Sequence, residues 1–192
     1  MSFQLTAVPL TVTPSVFPAN TDAAQLAMSS IGQYTVQTTP LQMAQVAQTV
    51  ANGGQMMTPY LIKSIVDADN QVVRTNSPTD GGRPISAETA SKLRTMMEAV
   101  VSQPYGTGNT MALPNVAVAA KTGTAQHGSG GSDHAAFVCY APYENPEIAV
   151  AIYVEKGAQG GLLAPIAKAI FDYYFAQSQT TELIPDELAL IP

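Results

Sequence analysis

One short run in the 192 residues puts a cation, two alcohols and a bare backbone position side by side: Lys121, Thr122, Gly123 and Thr124. It continues Val116, Ala117, Val118, Ala119 and Ala120, an apolar stretch that reads as a central strand. Lys121 offers positive charge to an anionic substrate or to a proton-transfer chain, and Gly123 lets another chain or a ligand come close to the backbone. Thr122 and Thr124 add hydroxyl donors. A strand edge of this kind can also pair with an extended peptide through its main chain. The tetrapeptide alone describes equally well a strand that reaches solvent at Lys121 and begins a turn at Gly123.

The other reactive side chains point to less. Cys139 is the single cysteine, so it forms no internal disulfide, and its apolar neighbours read as a small buried hydrophobe. His127 and His134 have no cysteine partner and no metal-ligand spacing, which favours loop or strand-end roles, with no metal and no cofactor. With 46% hydrophobic residues the chain can bury one real core. Apolar runs such as Ile148 to Val154 are far too short to cross a membrane, and no transmembrane helix is read. Met1, Ser2, Phe3 and Gln4 do not open a signal peptide. The 14 acidic and 8 basic residues leave a formal charge of −6, which repels a phosphate backbone and excludes nucleic acid as a partner.

The elements that must position Lys121 to Thr124 are legible from local signals. Pro9, Pro14 and Pro18 make residues 1 to 20 an extended surface segment. Asp22 and Gln25 have capping-box spacing for a short helix over about 22–28, followed by a loop at Ser29 to Gln33. Thr39 as N-cap, Pro40 at the first position and Gln42 predict a helix over 40–52 that ends at Asn52, Gly53 and Gly54. Runs at 60–66 and 71–74 around a polar turn read as a β-hairpin. Ser86 caps a helix to about Gln103 with Ala90, Leu93, Met97, Val100 and Val101 on one face. Strands follow at about 116–125, 135–142 and 147–155, joined by a mobile Gly128 to Ser132 tip and by a tighter turn at Tyr143 to Pro146, so they pair antiparallel. The third is apolar on both faces and needs cover on both sides. One cover is a helix over 163–177 with the stripe Leu163, Ile166, Ile170, Tyr173 and Tyr174. The fold class is α+β, an antiparallel sheet with helices on its faces. Residues 1–177 form a portion of a single domain, and 178–192 form a tail.

Along residues 26 to 176 the chain resembles the transpeptidase domain of class B penicillin-binding proteins. The resemblance rests on hallmarks in order: Ser30-Ile31-Gly32-Gln33; the helix opening Thr39-Pro40-Leu41-Gln42-Met43-Ala44 and its end Ala51-Asn52-Gly53-Gly54; Gly106-Thr107-Gly108; the Lys121-Thr122-Gly123 strand; and the strands Phe137 to Pro142 and Ile148 to Glu155. The resemblance implies a partial penicillin-binding-protein and serine β-lactamase-like fold.

That family divides acyl transfer among a serine followed three residues later by lysine, a Ser-x-Asn element and the Lys-Thr-Gly strand. The residues three before Lys63, Lys92, Lys121, Lys156 and Lys168 are Tyr60, Thr89, Val118, Tyr153 and Pro165, so no Ser-x-x-Lys exists, and no Ser-x-Asn exists either. Tyr143-Glu144-Asn145 matches a Tyr-x-Asn variant but stands after the Lys-Thr-Gly strand, out of order. The absent elements are expected upstream of residue 1, and the isolated chain is expected to be catalytically incompetent.

By resemblance, Lys121 supports the electrostatics of the absent serine and asparagine. The hydroxyls of Thr122 and Thr124 bind the carboxylate of a stem peptide or a β-lactam, and the Thr124 N–H is half of an oxyanion hole that Gly123 keeps accessible. Ala117, Ala119 and Ala120 let the serine-bearing helix pack close. The implied activity is a peptidoglycan D,D-transpeptidase anchored on the outer face of the bacterial cytoplasmic membrane. A D,D-carboxypeptidase or a β-lactamase-related enzyme, or a non-catalytic β-lactam or peptide-binding module, are the alternatives. An incomplete sheet is expected to expose an edge through which a homodimer can form.

Overall fold

The computed structural model describes residues 2–3, 12–19, 22–126 and 131–182, without the side chains of 2–3 and 178–182. Of the expected extended N-terminal segment, β1 (Ser2–Phe3) and β2 (Ser15–Val16) pair antiparallel, and residues 1, 4–11 and 20 lie outside the described residues, as does Gly128 to Gly130 of the expected hairpin tip.

Side-chain caps start the helices. Asp22 accepts from the Gln25 amide while the Gln25 side chain accepts from the Asp22 amide, and α1 (Ala23–Ser30) follows, ending two residues beyond its sequence signal. Thr39 Oγ1 accepts from Gln42 N at 3.1 Å ahead of α2 (Pro40–Ala51), whose end passes through Gly53 and Gly54 at φ 61° and 93°. β3 (Met57–Thr58) pairs with β6 (Thr79–Asp80), and between them β4 (Ser64–Val66) and β5 (Val72–Thr75) make the expected hairpin, exposed along its whole length. Ser86 caps α3 (Ala87–Ser102), which buries Ala90, Met97 and Val101.

The main sheet has the order β7 (Ala119–Ala125), β8 (His134–Ala141), β9 (Ile148–Val154), antiparallel throughout. β7 starts later than its apolar run suggests. Pro142 has no N–H to extend the ladder past Ala141, and the next donor, Tyr143 N, meets Ala117 O at 2.8 Å outside the strand. Among the described residues β7 is also an edge strand, not a central one as its apolar character suggests. The apolar half is explained by cover on both faces, not by strands on both sides.

Two apolar clusters provide that cover. On one face Ala120, Phe137, Cys139, Val150 and Ile152 pack against a 3-10 turn (Gly160–Leu163) and α4 (Ala164–Glu182). On the other, Ala119, Val138, Tyr140, Ala149 and Ala151 meet Ala47, Val50 and Ala51 of α2 and Met97 of α3. β9 is thus apolar on both sides for the reason its sequence implied.

The stripe expected on the last helix is corrected. Leu163 is buried as expected and Tyr174 half-buried, but Ile166, Ile170 and Tyr173 are exposed at 49%, 39% and 67%, and Ala164, Ala167 and Phe171 are buried in their place. Apolar side chains surround this helix, so the sequence leaves its phase undetermined; the small Ala164 and Ala167 let the axis approach the sheet and Phe171 fills the space beyond. The helix also continues to Glu182, five residues past the expected boundary at 177.

Candidate active-site wall

β7 changes character at its third residue. Ala119 and Ala120 are 0% exposed, held by the two clusters on opposite faces, whereas Lys121 and Thr124 are exposed and Thr122 and Gly123 half-buried. The expectation that Ala119 and Ala120 leave room for a further helix is therefore corrected: α2 and α3 already cover the first, and the α4 side covers the second.

Register places each side chain. Lys121 pairs with Val138, Thr122 with Phe137, Gly123 with Ala136 and Thr124 with Ala135. Strand alternation then sends Thr122 and Thr124 to the α4 side and Lys121 to the α2 side. The ammonium returns to the strand edge, where Lys121 Nζ donates to the Thr122 carbonyl. The Thr124 carbonyl accepts from Gln33 Nε2 at 3.3 Å. Both carbonyls thus engage side chains on the open edge, and the alternation of an antiparallel ladder turns the Thr122 and Thr124 amides to the same edge. The result is an open wall with amides, carbonyls, two hydroxyls and an ammonium, able to pair with an extended peptide and to hold an anion.

Two further segments brace the hydroxyls. Thr107 Oγ1 and Thr122 Oγ1 are 2.9 Å apart, within hydrogen-bond distance. Gly160 N points at Thr124 Oγ1 at 3.5 Å, the outer limit of a hydrogen bond. Gly160 lies so close to the ladder that a Cβ there would be 2.4 Å from both Gly123 O and Ala136 O and 2.6 Å from Gly123 N. Sequence reasoning named Gln33 and Thr107 only as parts of motifs, and Gly160 not at all. The doublet Gly160-Gly161 ahead of a helix was the available signal for a close approach.

The remaining reactive groups stand apart. Burial pushes the Cys139 thiol up to about 12, which leaves it inert as a nucleophile. Burial likewise pushes the Tyr140 phenol up to about 12 against the opposing pull of Arg94, and its hydroxyl has no hydrogen-bond partner among the described residues. His134 opens β8, where its Nδ1 accepts from Lys156 N at 3.1 Å and its ring lies 5.5 Å from that of Tyr153. His127 lies outside the described residues. Among the described residues no group of three or more His, Cys, Asp or Glu could hold a metal ion, and no helix is long and apolar enough to cross a membrane.

Comparison with known proteins gives a consistent picture. The profile of the penicillin binding protein transpeptidase domain matches residues 13–172. The peptidoglycan D,D-transpeptidase PbpA of Mycolicibacterium smegmatis is 41% identical over 174 residues, covering 85% of this chain and 34% of the relative. The peptidoglycan D,D-transpeptidase MrdA of Acinetobacter baumannii is 34% identical over 81% of this chain and 25% of its own length. The chain thus spans about a third or less of these curated relatives. Among solved structures, the imipenem acyl-enzyme complex of penicillin-binding protein A from M. tuberculosis superposes with a TM-score of 0.78 at 39% identity, over 87% of this chain and 38% of that one. The penicillin G acyl-enzyme complex of the same protein gives a TM-score of 0.77 at 37% identity, over 87% and 39%.

Proposed function

The chain belongs to the penicillin binding protein transpeptidase domain family, and from that premise we propose that its β7 edge is the carboxylate-binding wall of a serine D,D-transpeptidase. The observation that carries the reading is the open edge itself: the Thr122 and Thr124 hydroxyls project from one face of β7, and the amides of these two alternate residues turn away from β8. A stem peptide or a β-lactam laid along that edge brings its carboxylate to the two hydroxyls. The Thr124 N–H supplies half of the oxyanion hole, and Gly123 leaves the approach unobstructed. Lys121 tunes the serine and asparagine elements electrostatically. The serine hydroxyl attacks the donor peptide's scissile amide, the C–N bond breaks and the C-terminal residue leaves as its amine, and an acceptor amine then takes the acyl group and frees the serine; a β-lactam acylates the same serine by opening its ring, so its leaving amine stays tethered and the sequence stalls.

No Ser-x-x-Lys and no Ser-x-Asn occur in the 192 residues, so on this reading both come from sequence outside them, in a protein anchored at the outer face of the cytoplasmic membrane. The same absence favours a second reading, a non-catalytic peptide-binding or β-lactam-binding module. Fluorescent penicillin separates the two. The 192-residue chain should show no label after denaturation, and the full-length protein should show label that survives it. Denaturation-resistant labelling of the short chain would overturn the roles assigned to Lys121, Thr122 and Thr124, and an unlabelled but folded full-length protein would leave the module reading. A homodimer of the 192-residue chain through an exposed sheet edge is a separate proposal, and light scattering that shows only monomer removes it.

A further inference from the structure

We infer that Thr107 is a positioning residue for carboxylate recognition: its hydroxyl donates to Thr122 Oγ1 and so commits the Thr122 hydrogen to the ligand. The inference rests on the reading that Thr122 and Thr124 hold a carboxylate.

The loop that carries Thr107 is built without slack. Gly106 N donates to Gln103 O at 2.9 Å and Gly108 N to Val100 O at 3.1 Å, which ties both neighbours of Thr107 to the end of α3. A Cβ on Gly106 would sit 2.2 Å from Val100 O, so the backbone there has no room for any side chain. From the other side the Gly160-Gly161 turn presses in, with a Cβ on Gly161 only 2.8 Å from Thr107 O. Clamped between helix and turn, Thr107 is left exposed at its side chain, and its hydroxyl meets Thr122 at 2.9 Å across 15 residues of sequence.

Proton counting then fixes the direction. A hydroxyl carries one hydrogen and accepts through its lone pairs, whereas a carboxylate only accepts. If Thr122 donated to Thr107, it would turn only lone pairs toward the anion and repel it. The order Thr107 to Thr122 to carboxylate is the one that keeps both hydrogen bonds, and each donor in such a chain polarises the next. Gly160 N–H performs the same service for Thr124, since an amide can only donate and leaves the Thr124 hydrogen free. Both hydroxyls are thereby set as donors before a ligand arrives.

The experiment compares second-order acylation rates of the full-length protein by benzylpenicillin and by its methyl ester, which lacks the anion. Thr107→Val keeps the shape and removes the hydroxyl, and it should lower the acid-to-ester rate ratio by about two- to thirteen-fold, the range of one neutral hydrogen bond. Thr107→Ser should restore the ratio, and Thr122→Val should lower it at least as far as Thr107→Val. An unchanged ratio in Thr107→Val, or an equal loss for acid and ester, overturns the inference while Thr122→Val still lowers the ratio. An unchanged ratio in Thr122→Val overturns the carboxylate reading itself, and the inference with it.

Discussion

Replacing Gly160 with alanine places a methyl group where backbone already is. Its Cβ would lie 2.4 Å from the carbonyl oxygens of Gly123 and Ala136 and 2.6 Å from Gly123 N. All three atoms belong to paired strands, so no side chain can swing aside to make space. Reaching roughly 3.3 Å, a close carbon–oxygen contact, needs a retreat of about 0.9 Å by the turn or an equal displacement of the strand. A retreating turn takes with it Leu163 and Ala164, which are 4% and 0% exposed in the cluster around Phe137 and Phe171. Overpacking of this kind costs about 1–3 kcal/mol. With a urea slope of about 1–3 kcal/mol per molar, the denaturation midpoint of the 192-residue chain should fall by on the order of 1 M. The amide resonances of Gly123 and Thr124 should move as well. Gly161→Ala is the comparison, because its Cβ would meet Thr107 O, at 2.8 Å, and no atom of the ladder; whatever it costs in stability, it should leave the Gly123 amide resonance in place. An unshifted midpoint for Gly160→Ala together with unmoved Gly123 and Thr124 resonances would refute the idea that this turn bears directly on β7.

The corrected phase of α4 predicts that Phe171→Ala, at a fully buried site, costs about 3–5 kcal/mol. Ile170→Ala, at a site 39% exposed, should cost about 1 kcal/mol or less, and similar urea midpoints for the two variants would contradict the phase. Arg94 donates to Ala51 O at 2.8 Å and to Tyr143 O, with its guanidinium 5.1 Å from the centre of the Tyr143 ring. Arg94→Lys cannot reproduce that fork and should lower stability by about 1–3 kcal/mol, read as a lower melting temperature. Alkaline pH should also weaken the fold. Below about pH 9 Cys139 and Tyr140 are protonated in both states; above the ordinary values of 9.0 and 10.0 the unfolded chain releases these protons, whereas the folded chain holds them to about 12. The unfolded state then binds fewer protons, so stability falls with rising pH by up to about 1.4 kcal/mol per unit for each group. Tyr140→Phe should reduce that slope above pH 10 without loss at neutral pH, because the Tyr140 hydroxyl has no partner among the described residues. Urea midpoints between pH 7 and 11.5 test both statements, and a slope unchanged in Tyr140→Phe counts against them.

What could be read from the sequence follows the range of the interaction concerned. The three helix starts at Asp22, Thr39 and Ser86 are hydrogen bonds between residues three apart, so the sequence contains both partners in one glance. The strands were visible because their apolar runs end at turn residues, and Lys121 to Thr124 stood out as polar residues in such a run. The phase of α4 was not visible, since Ile166 and Ile170 are as apolar as Phe171 and only the approach of Ala164 and Ala167 to the sheet separates them. The edge position of β7 was hidden for a related reason: apolar character reports burial of faces and is silent about neighbouring strands. The supports of the site were hidden by distance. Thr107, Gly160 and Gln33 reach Thr122 and Thr124 across 15, 36 and 91 residues, and no periodicity connects them.

β7 joins two kinds of support within seven residues, and the division bears on what the strand can do. Ala119 and Ala120 are fixed by packing on both faces, which anchors the strand but leaves no polar group accessible. From Lys121 onward packing gives way to hydrogen bonds and close backbone approach. On the α4 side those supports are several: Thr107, Gly160 and the ladder to β8 hold the two hydroxyls where a ligand can meet them. On the α2 side Lys121 is exposed, and its Nζ contact is with the carbonyl of the next residue in its own strand. Recognition of an anion needs donors held in place beforehand, because reorganising them on binding subtracts from affinity. Proton transfer needs a donor and an acceptor within hydrogen-bond reach, and the carbonyl that Lys121 Nζ meets is not a group that takes up its proton. On the proposed reading, these residues therefore supply recognition in finished form, and Lys121 acquires its catalytic environment only when the serine and asparagine elements assemble beside it.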